Sequence, residues 1–258
     1  EYNRIPIIRK KPIKGEEYFV PYLTLFPKDY VKALTLPAGA IEPKYQAELR
    51  VLVEIEEDID KLEFEYNKTL FTINKPVLAD KKKTKGLVNS ASVTVKITCE
   101  KELTNNRYID IYAHPKGTGN KTKAEQFSTR KLAGRLMVMA NGTLNRKIQK
   151  FVLVKVKTNT LNQPKANTGK FDNAEKINFY KAMYQGMVVP KSGLELRLDV
   201  TKNPNFKAGT KYVDANGRII RTEPTLNSYM RQLVNKATAN IYANCFFVFS
   251  FDVEDSSQ

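Results

Sequence analysis

Hydrophobic and polar residues alternate with a period of two along much of the first 158 residues. The alternation is clearest at residues 51–55, 62–66, 93–97 and 108–113. A period of two places successive side chains on opposite faces of a strand, so each stretch predicts a β-strand with one buried face. Several short strands separated by turn residues are typical of an antiparallel β-sandwich.

The strongest local signal lies between residues 129 and 158. Two apolar runs, Leu136–Ala140 and Phe151–Val156, flank a polar stretch that begins with Asn141-Gly142. Asn and Gly tolerate the positive φ angles that a tight reversal needs. The pattern therefore predicts a β-hairpin whose two arms are these apolar runs.

Residues 1–44 contain six of the twelve prolines. Repeated proline interrupts regular elements, which predicts an extended arm with one short turn of helix at residues 28–34. The aromatic residues of this arm, among them Phe19, Tyr22 and Phe26, would be exposed if the arm were free. The arm must therefore dock, and docking on its own domain is favoured over docking on a partner.

After residue 158 the pattern changes from alternation to helical spacing. Polar residues 159–173 predict a linker, and Asp172 or Asn173 can cap a helix over residues 174–187. Thr225 can cap a second helix that ends at about residue 239. The predicted strands and turn of this part are residues 194–200, 210–213, 214–217 (the turn), 218–221 and 245–251.

The last of these strands is apolar almost throughout, which is typical of an interior strand. The predicted fold class is therefore mainly β, with antiparallel β-sandwich modules followed by a small α/β segment of helix, strand, helix and strand. The predicted divisions are an arm (1–44), the sandwich modules (45–158), a linker (159–173) and the α/β segment (174–258).

The net charge of +16 is concentrated in one third of the chain. Residues 81–170 hold 20 Lys and Arg against 4 Asp and Glu, whereas residues 1–80 hold 12 against 14. Such a basic block could attract nucleic acid, acidic lipid or an acidic protein. Most of its cations are lysines, however, and sites that recognise phosphates or bases usually rely on arginine. We therefore favour a solvated lysine-rich surface.

Few residues suited to catalysis or metal binding are present. The single histidine, His114, cannot by itself supply a multi-histidine metal centre, and the chain has no Gly-x-Ser-x-Gly motif. Residues 115–128 are predicted to form a Gly/Lys/Thr loop. Cys99 and Cys245 lie in apolar runs, and two buried free thiols are favoured over a disulfide. The sequence predicts no catalytic residue, no metal and no cofactor.

The chain has no apolar run near the roughly 20 residues that a membrane helix needs. It begins with Glu1 rather than Met and carries no signal peptide. We therefore expect a trimmed or processed piece of something longer, without a membrane span.

Three stretches resemble secreted type VI secretion-associated effector proteins of the Bacteroidetes lineage. They are AGRLMVMANGTLNRKIQKFVLVKVKTN, FVPYLTLFPKDYVKALTLPAG and LEFEYNKTLFTINK. In that family β-sandwich modules precede a zinc metallopeptidase-like domain. The resemblance implies that residues 174–251 correspond to the first half of such a domain, but the His-Glu-x-x-His helix that would follow is not in this sequence. It also implies synthesis in the bacterial cytoplasm followed by secretion or delivery to a target cell.

We therefore expect a non-catalytic delivery or scaffold portion of an interbacterial effector that docks on a secretion-apparatus component or a cognate protein. Two alternatives are a basic β-rich module that binds nucleic acid or acidic glycan, and a truncated or degenerate zinc metallopeptidase. The predicted partner-binding residues come from the arm and from the basic hairpin: Phe19, Tyr22, Phe26, Arg135, Arg146, Lys147 and Lys150.

Overall fold

The computed structural model describes residues 9–13, 16–37, 39–51, 53–55, 57–79, 86–87 and 93–253. The chain forms two compact units, and each is described by itself. Unit 1 comprises Glu1–Leu34 and Glu42–Lys147, and unit 2 comprises Thr35–Ile41 and Ile148–Gln258. Residues 159–173, the predicted linker, lie within unit 2.

Most of the regular elements of unit 1 are strands. Its described elements are β1 (Arg9–Ile13), β2 (Glu16–Phe19), β3 (Tyr22–Leu23), α1 (Lys28–Ala33), β4 (Gln46–Val51), β5 (Glu54–Ile55), β6 (Ile59–Glu65), β7 (Phe71–Ile73), β8 (Val77–Ala79), β9 (Gly86–Leu87), β10 (Val93–Cys99), β11 (Arg107–Pro115), α2 (Lys123–Thr129) and β12 (Lys131–Val138).

These strands form two main sheets. One has five strands in the order β3-β12-β11-β6-β8, and the other has three in the order β4-β10-β7. The described pairs are antiparallel except for β3 and β12, which run parallel. Two short pairs, β1–β2 and β5–β9, lie outside the main sheets.

The hydrophobic core of unit 1 lies between these two sheets. Val95 and Ile97 of the three-stranded sheet are fully buried in one cluster with Phe64, Ile109 and Val138 of the five-stranded sheet. Burial of each such side chain stabilises the fold by about 2 kcal/mol. The predicted antiparallel β-sandwich is confirmed.

Residues 20–34 of the predicted N-terminal arm pack on unit 1, as expected, whereas Thr35–Ile41 belong to unit 2. Strand β3 extends the five-stranded sheet, while Leu25 and Phe26 are almost completely buried. The predicted helical turn is present as α1. Docking on unit 1 therefore buries Phe26, whereas Tyr22 remains 36% exposed.

The predicted hairpin over residues 129–158 is wrong, although both of its arms are strands. Strand β12 pairs with β11 and β3 in unit 1. The second arm belongs to β13 (Lys147–Thr158), in a separate sheet of unit 2. Asn141 therefore does not form a reversal between paired strands. Its side chain is instead buried and hydrogen-bonded to other segments of unit 1.

The predicted loop at residues 115–128 also needs correction, because α2 begins within it. Thr122 accepts a hydrogen bond from the Glu125 N–H, and the Glu125 carboxylate accepts one from the Thr122 N–H. This capping box satisfies two backbone donors at the first turn of α2.

Unit 2 is a small α/β layer in which helices cover both faces of a sheet. After β13 its described elements are β14 (Asn167–Thr168), α3 (Asn173–Gln185), β15 (Val188–Asp199), a 3-10 turn (Pro204–Phe206), α4 (Leu226–Ala237) and β16 (Phe246–Ser250). The helix-strand-helix-strand prediction is confirmed. The two predicted short strands at 210–213 and 218–221 are only isolated bridges.

Strand β13 lies at the centre of this sheet. Its alternate residues Val152, Val154 and Val156 pack in one cluster with residues of α4, such as Met230. On the opposite face Phe151 contacts two aromatic rings of α3 edge-on. The near-continuous apolar run of β13 is therefore explained by burial on both faces.

Strand β15 lies on one edge of β13, while β14 and β16 occupy the other. Strand β16 runs parallel to β13 and pairs with residues 151–155 in its middle. No described strand pairs with the second edge of β16. The prediction that this apolar strand is interior is therefore wrong for the part of the chain that the structure describes.

Candidate functional site

The outer face of the five-stranded sheet of unit 1 carries a group of aromatic and charged side chains. Alternation along β11 sends Ile109 into the core. Tyr108, Asp110 and Tyr112 point to the other face, away from the core. The sheet backbone fixes the spacing of these three side chains, because successive residues on one face of a strand are about 7 Å apart.

Three residues form a row across one end of this face. The strand register places Tyr22 of β3 beside Met137 of β12, and Met137 beside Tyr108 of β11. Met137 is 3% exposed, whereas Tyr22 and Tyr108 are 36% and 46% exposed. The row therefore presents two tyrosines to solvent on either side of a buried methionine.

An arginine–carboxylate pair forms the next row. The Arg135 Nη2 group donates to Asp110 Oδ2 over 2.6 Å, and its Nε donates to the other oxygen of the same carboxylate. The Arg135 guanidinium carbon also lies 4.4 Å from the centre of the Tyr108 ring. Hydrogen bonding to Asp110 raises the pKa of Arg135 above its ordinary value. Arg135 is therefore held in one orientation rather than free to move.

A second arginine lies between two aromatic rings. The Arg130 guanidinium carbon is 3.8 Å from the Tyr112 ring centre and 3.6 Å from that of Phe127 in α2. Arg130 also forms an ion pair with Glu65 of β6. Phe127 nevertheless remains 61% exposed. The stacking supports Phe127 from one side and leaves its other side open.

We name this surface the aromatic–arginine platform. It consists of Tyr22, Tyr108, Tyr112, Phe127, Arg130 and Arg135. Tyrosine, arginine and phenylalanine are the residues enriched in the cores of protein–protein interfaces. Because the arginines are already oriented, a partner would lose little side-chain entropy on contacting them.

The single histidine lies on the same sheet but is buried. His114 Nε2 is 2.9 Å from Glu63 Oε1, and the Lys61 ammonium lies 2.5 Å from the other oxygen of Glu63. Burial opposes ionisation of Glu63, but Lys61 and then His114 outweigh it, so the pKa of Glu63 is below its ordinary value. His114 is 6% exposed, so this group joins strands rather than forming an accessible catalytic site.

The structure brings two of the seven predicted partner-binding residues, Tyr22 and Arg135, onto the platform. It places Phe26 in the core, where it is 1% exposed. Arg146 is 8% exposed and stacks 4.0 Å from the Tyr30 ring centre, while donating to the Asn141 carbonyl. Because Phe26 and Arg146 contribute to packing, neither can make a first contact with a partner.

The remaining predicted residues lie elsewhere. Lys147 and Lys150 are exposed near the beginning of β13. Phe19 ends β2, and its side chain lies outside the described part of the chain.

The sequence interpretation missed Tyr108, Phe127 and Arg130. The capping box of α2 was a usable signal, because a Thr-x-x-Glu sequence predicts a helix start and so a fixed position for Phe127. No local signal could have revealed the Arg130 stacking, since Tyr112 reaches it only through the pairing of β11 with β12.

Part of the middle basic block is offset by acidic residues from earlier in the chain. Three ion pairs join a cation of the basic block to an acid earlier in the chain: Lys116–Asp58, Lys131–Glu57 and Arg130–Glu65. The acidic residues Glu57, Asp58 and Glu65 are thus neighbours of the basic block in unit 1. The field presented to an anionic ligand is weaker there than the sequence count suggests.

Within the described residues, no group of three or more His, Cys, Asp and Glu side chains is arranged to hold a metal ion. Both cysteines are free and buried, as expected. The described helices also include none that combines the length and the apolar character needed to cross a bilayer.

No protein-family model and no curated protein matches the chain. Among solved structures, the chain is similar to SSP-19, an MSP-domain protein-like family member in Caenorhabditis elegans. The identity is 17%, the TM-score is 0.24, and the match covers 42% of this chain and 92% of that chain. A likeness this weak carries no argument about fold or function.

Proposed function

We propose that this chain is a non-catalytic delivery or scaffold portion of a secreted interbacterial effector, and that it docks a protein partner through the aromatic–arginine platform. The partner is a component of the secretion apparatus or a cognate protein. In this proposal the chain is made in the bacterial cytoplasm and delivered to a target cell. The effector assignment rests on the sequence resemblance, and the docking role rests on unit 1.

The exposure of Phe127 on an ordered support is the observation that carries the docking role. A single exposed apolar residue is common, but several aromatic residues exposed on one sheet face are typical of an interaction site. Here the ring is held against Arg130, and two exposed tyrosines lie farther along the same sheet face. Binding energy at protein interfaces is usually concentrated in a few such aromatic and arginine residues.

Point variants of the platform test this docking role. A tagged full chain, crosslinked in the producing bacterium, would identify the partner, and its Kd would then be measured with purified proteins. We expect Phe127→Ala and Tyr108→Ala each to weaken binding at least about tenfold, a loss of about 1.4 kcal/mol. Deletion of residues 1–44 is a poorer test, because it also removes Leu25 and Phe26 from the core.

Leu144→Ala is the matched control. Leu144 is an exposed apolar residue of the same unit, but it lies in the turn after β12 and outside the platform. Its replacement should leave the Kd unchanged. Equal capture of the partner by the wild-type chain and a Phe127→Ala, Tyr108→Ala double variant would refute docking at the platform.

The alternative of nucleic-acid or acidic-glycan binding makes a different prediction about salt. Binding through phosphates weakens steeply as salt rises, because condensed counterions are released. Platform docking, which relies on aromatic burial, should change little between about 50 and 200 mM salt. A steep salt dependence that survives the double variant would favour the basic surface.

The metallopeptidase alternative concerns residues beyond this sequence. Zinc analysis of the full-length product, together with a search of its downstream sequence for His-Glu-x-x-His, tests it. Stoichiometric zinc and such a helix would assign catalysis to a following region. Absence of both would remove the link to a peptidase.

A further inference from the structure

Strand β16 of unit 2 has the composition of an interior strand and the position of an edge strand. Its sequence, Phe-Phe-Val-Phe-Ser, contains no charged residue and no proline. Natural edge strands usually carry a lysine, a proline or a bulge that prevents pairing with another chain. Phe246 is 57% exposed. An uncharged apolar strand at an open sheet edge indicates that another strand pairs with it.

The backbone groups available on the open edge can be assigned from the pairing. The Gly169 N–H donates to the Val156 carbonyl, so the even-numbered residues of β13 point their backbone groups toward β14 and β16. Val152 is in register with Phe247 and Val154 with Phe249. In a parallel pair the in-register residue of the neighbour points its own groups away. The N–H and C=O groups of Phe247 and Phe249 therefore face the open edge.

The open edge lies in a groove with a volume of about 840 Å³. Helix α3 contributes Phe179 to its lining and helix α4 contributes Met230, while β16 itself forms part of the wall. An element that reaches the backbone of β16 between two flanking helices must be extended, because adjacent strands lie only about 4.8 Å apart.

We propose that the β16 strands of two copies of this chain pair antiparallel across a two-fold axis at Val248, which joins the two unit 2 sheets into one. In this register Phe247 of one copy lies opposite Phe249 of the other. Since both residues point their backbone groups to the open edge, each such pair exchanges two hydrogen bonds. The two-fold axis then passes through a non-hydrogen-bonded Val248–Val248 pair.

Self-pairing suits the chemistry of this strand better than pairing with a charged peptide. A two-fold interface uses the same patch on both copies and must therefore be complementary to itself. The strand brings no charges into such an interface. The charged residues that line the groove are two acids, Glu175 and Glu223, and two bases, Lys176 and Arg221. The patch therefore lacks the strong positive field expected from the net charge of +16.

The oligomeric state of the full chain is the first measurement. Light scattering and sedimentation at 150 mM salt, which screens the net charge, should show a concentration-dependent dimer. Phe246→Lys places a charge on the exposed side of β16 and should raise the dimer Kd at least about tenfold. Ile241→Lys is the matched control, since Ile241 is 73% exposed in the same unit and does not line the groove. The Ile241→Lys variant should dimerise like the wild type.

A disulfide tests the register directly. Opposite residues of a non-hydrogen-bonded antiparallel pair have Cα atoms about 4.5 Å apart, within the range that a disulfide spans. Val248→Cys should therefore form a covalent dimer under mild oxidation, whereas Ile241→Cys should not. A wild-type chain that stays monomeric up to millimolar concentration would overturn the proposal, even if another protein bound the groove. A dimer that ignores Phe246→Lys and fails to crosslink through Val248→Cys would also overturn it.

Discussion

The side chain of Asn141 ties three segments of unit 1 together. Its Oδ1 accepts a hydrogen bond from the Leu103 N–H over 2.6 Å, and its Nδ2 donates to the Leu25 carbonyl over 2.8 Å. Nδ2 also lies 3.2 Å from the Cys99 sulfur. Asn141 is fully buried, so these groups have no access to water. A buried amide whose bonds are all made adds specificity to the core around it.

Asn141→Ala should lower the free energy of unfolding of unit 1 by about 3 kcal/mol. The change leaves the Leu103 N–H and the Leu25 C=O buried without these bonds, and each such loss costs about 1–3 kcal/mol. Urea unfolding followed by circular dichroism measures the loss. Asn145→Ala is the control, because Asn145 is exposed a few residues away and should change stability by less than about 0.5 kcal/mol. Equal effects of both changes would contradict the role given to Asn141.

This residue also explains why the hairpin prediction failed. An Asn-Gly dipeptide between apolar runs is a local signal, and it predicts a reversal regardless of what surrounds it. Here Asn141 accepts from Leu103 and donates to Leu25, which are distant in sequence, so its role cannot be found in residues 136–156 alone. The stacking of Arg146 on Tyr30 has no local signal for the same reason, because the two residues meet only in the folded chain.

Cys99 provides a second test at the residue scale. Burial raises the pKa of its thiol to about 11, even though a hydrogen bond from Asn141 acts in the opposite direction. At pH 8 only about one molecule in a thousand would carry the reactive thiolate. In a Cys245→Ser variant we expect a thiol reagent to modify Cys99 at least about a hundredfold more slowly in buffer than in denaturant. Rapid modification of the folded variant would contradict this burial.

At the scale of elements, β14 and β16 meet end to end along one edge of β13. A Cβ atom added at Gly169 would lie 1.8 Å from the Ser250 carbonyl oxygen. The Ser250 hydroxyl in turn donates to the Lys170 carbonyl over 2.5 Å. Only glycine allows the two strand ends to approach this closely.

Gly169→Ala should therefore destabilise unit 2 by about 3 kcal/mol or more, because backbone atoms of β16 must move to accept the methyl group. Gly186→Ala is the control. Gly186 ends α3 with a φ of −85°, and the nearest atom to an added Cβ is 3.5 Å away. Its replacement should be neutral or stabilising by up to about 1 kcal/mol. Thermal unfolding of both variants would settle the comparison, and a tolerated Gly169→Ala would show that the strand ends do not meet.

Three of the four described helices, α1, α3 and α4, were predicted to within a few residues, whereas α2 was missed and strand partners were not predictable. The capping box of Asp172 and Glu175 fixes the start of α3 through neighbouring residues. Strand pairing has no comparable local signal. Nothing within β12 or β16 indicates that the first joins β11 and the second joins β13. Thr225 shows the limit for caps, since its hydroxyl donates to Glu223 rather than capping α4.

The aromatic–arginine platform shows the same difference between local signals and strand pairing. Tyr22 and Arg135 were chosen as an aromatic residue of the arm and a cation of the predicted hairpin, and they share a sheet face because β3 and β11 both pair with β12. Phe127 and Arg130 join them through α2, which was taken for a loop. The residue types of the site were thus predictable in part, but their assembly depended on sheet order.

At the scale of the whole molecule, folding brings charges of opposite sign together that the sequence keeps apart. Ion pairs such as Lys28–Glu100 and Lys101–Asp29 join residues more than 70 positions apart. Most such pairs are exposed, and each contributes only about 0–1 kcal/mol. Their collective effect is to lower the local repulsion within a chain whose net charge is +16.

Acidification should therefore destabilise both units, since protonation of the 27 Asp and Glu residues leaves 43 Lys and Arg residues unopposed. Asp199 tests at a single position whether stability falls as the pH is lowered. Hydrogen bonding by Thr201 is the largest cause that lowers its pKa, to about 2, and the Lys157 charge adds to it. A carboxylate with a depressed pKa contributes stability above its unfolded value near 3.8, and that contribution is lost as the pH falls through about 2.

The comparison of wild type with Asp199→Asn isolates this contribution. Asparagine can still accept the hydrogen bond from the Thr201 N–H, so the variant removes the charge and keeps the shape. Because the Asp199 side chain is half exposed, solvent screening limits the difference to about 1 kcal/mol or less at pH 5. Urea unfolding should show that difference shrinking between pH 4 and pH 2. Asp252→Asn, at an exposed carboxylate, should match the wild type throughout, and a difference at Asp199 that grows on acidification would reverse the assigned sign.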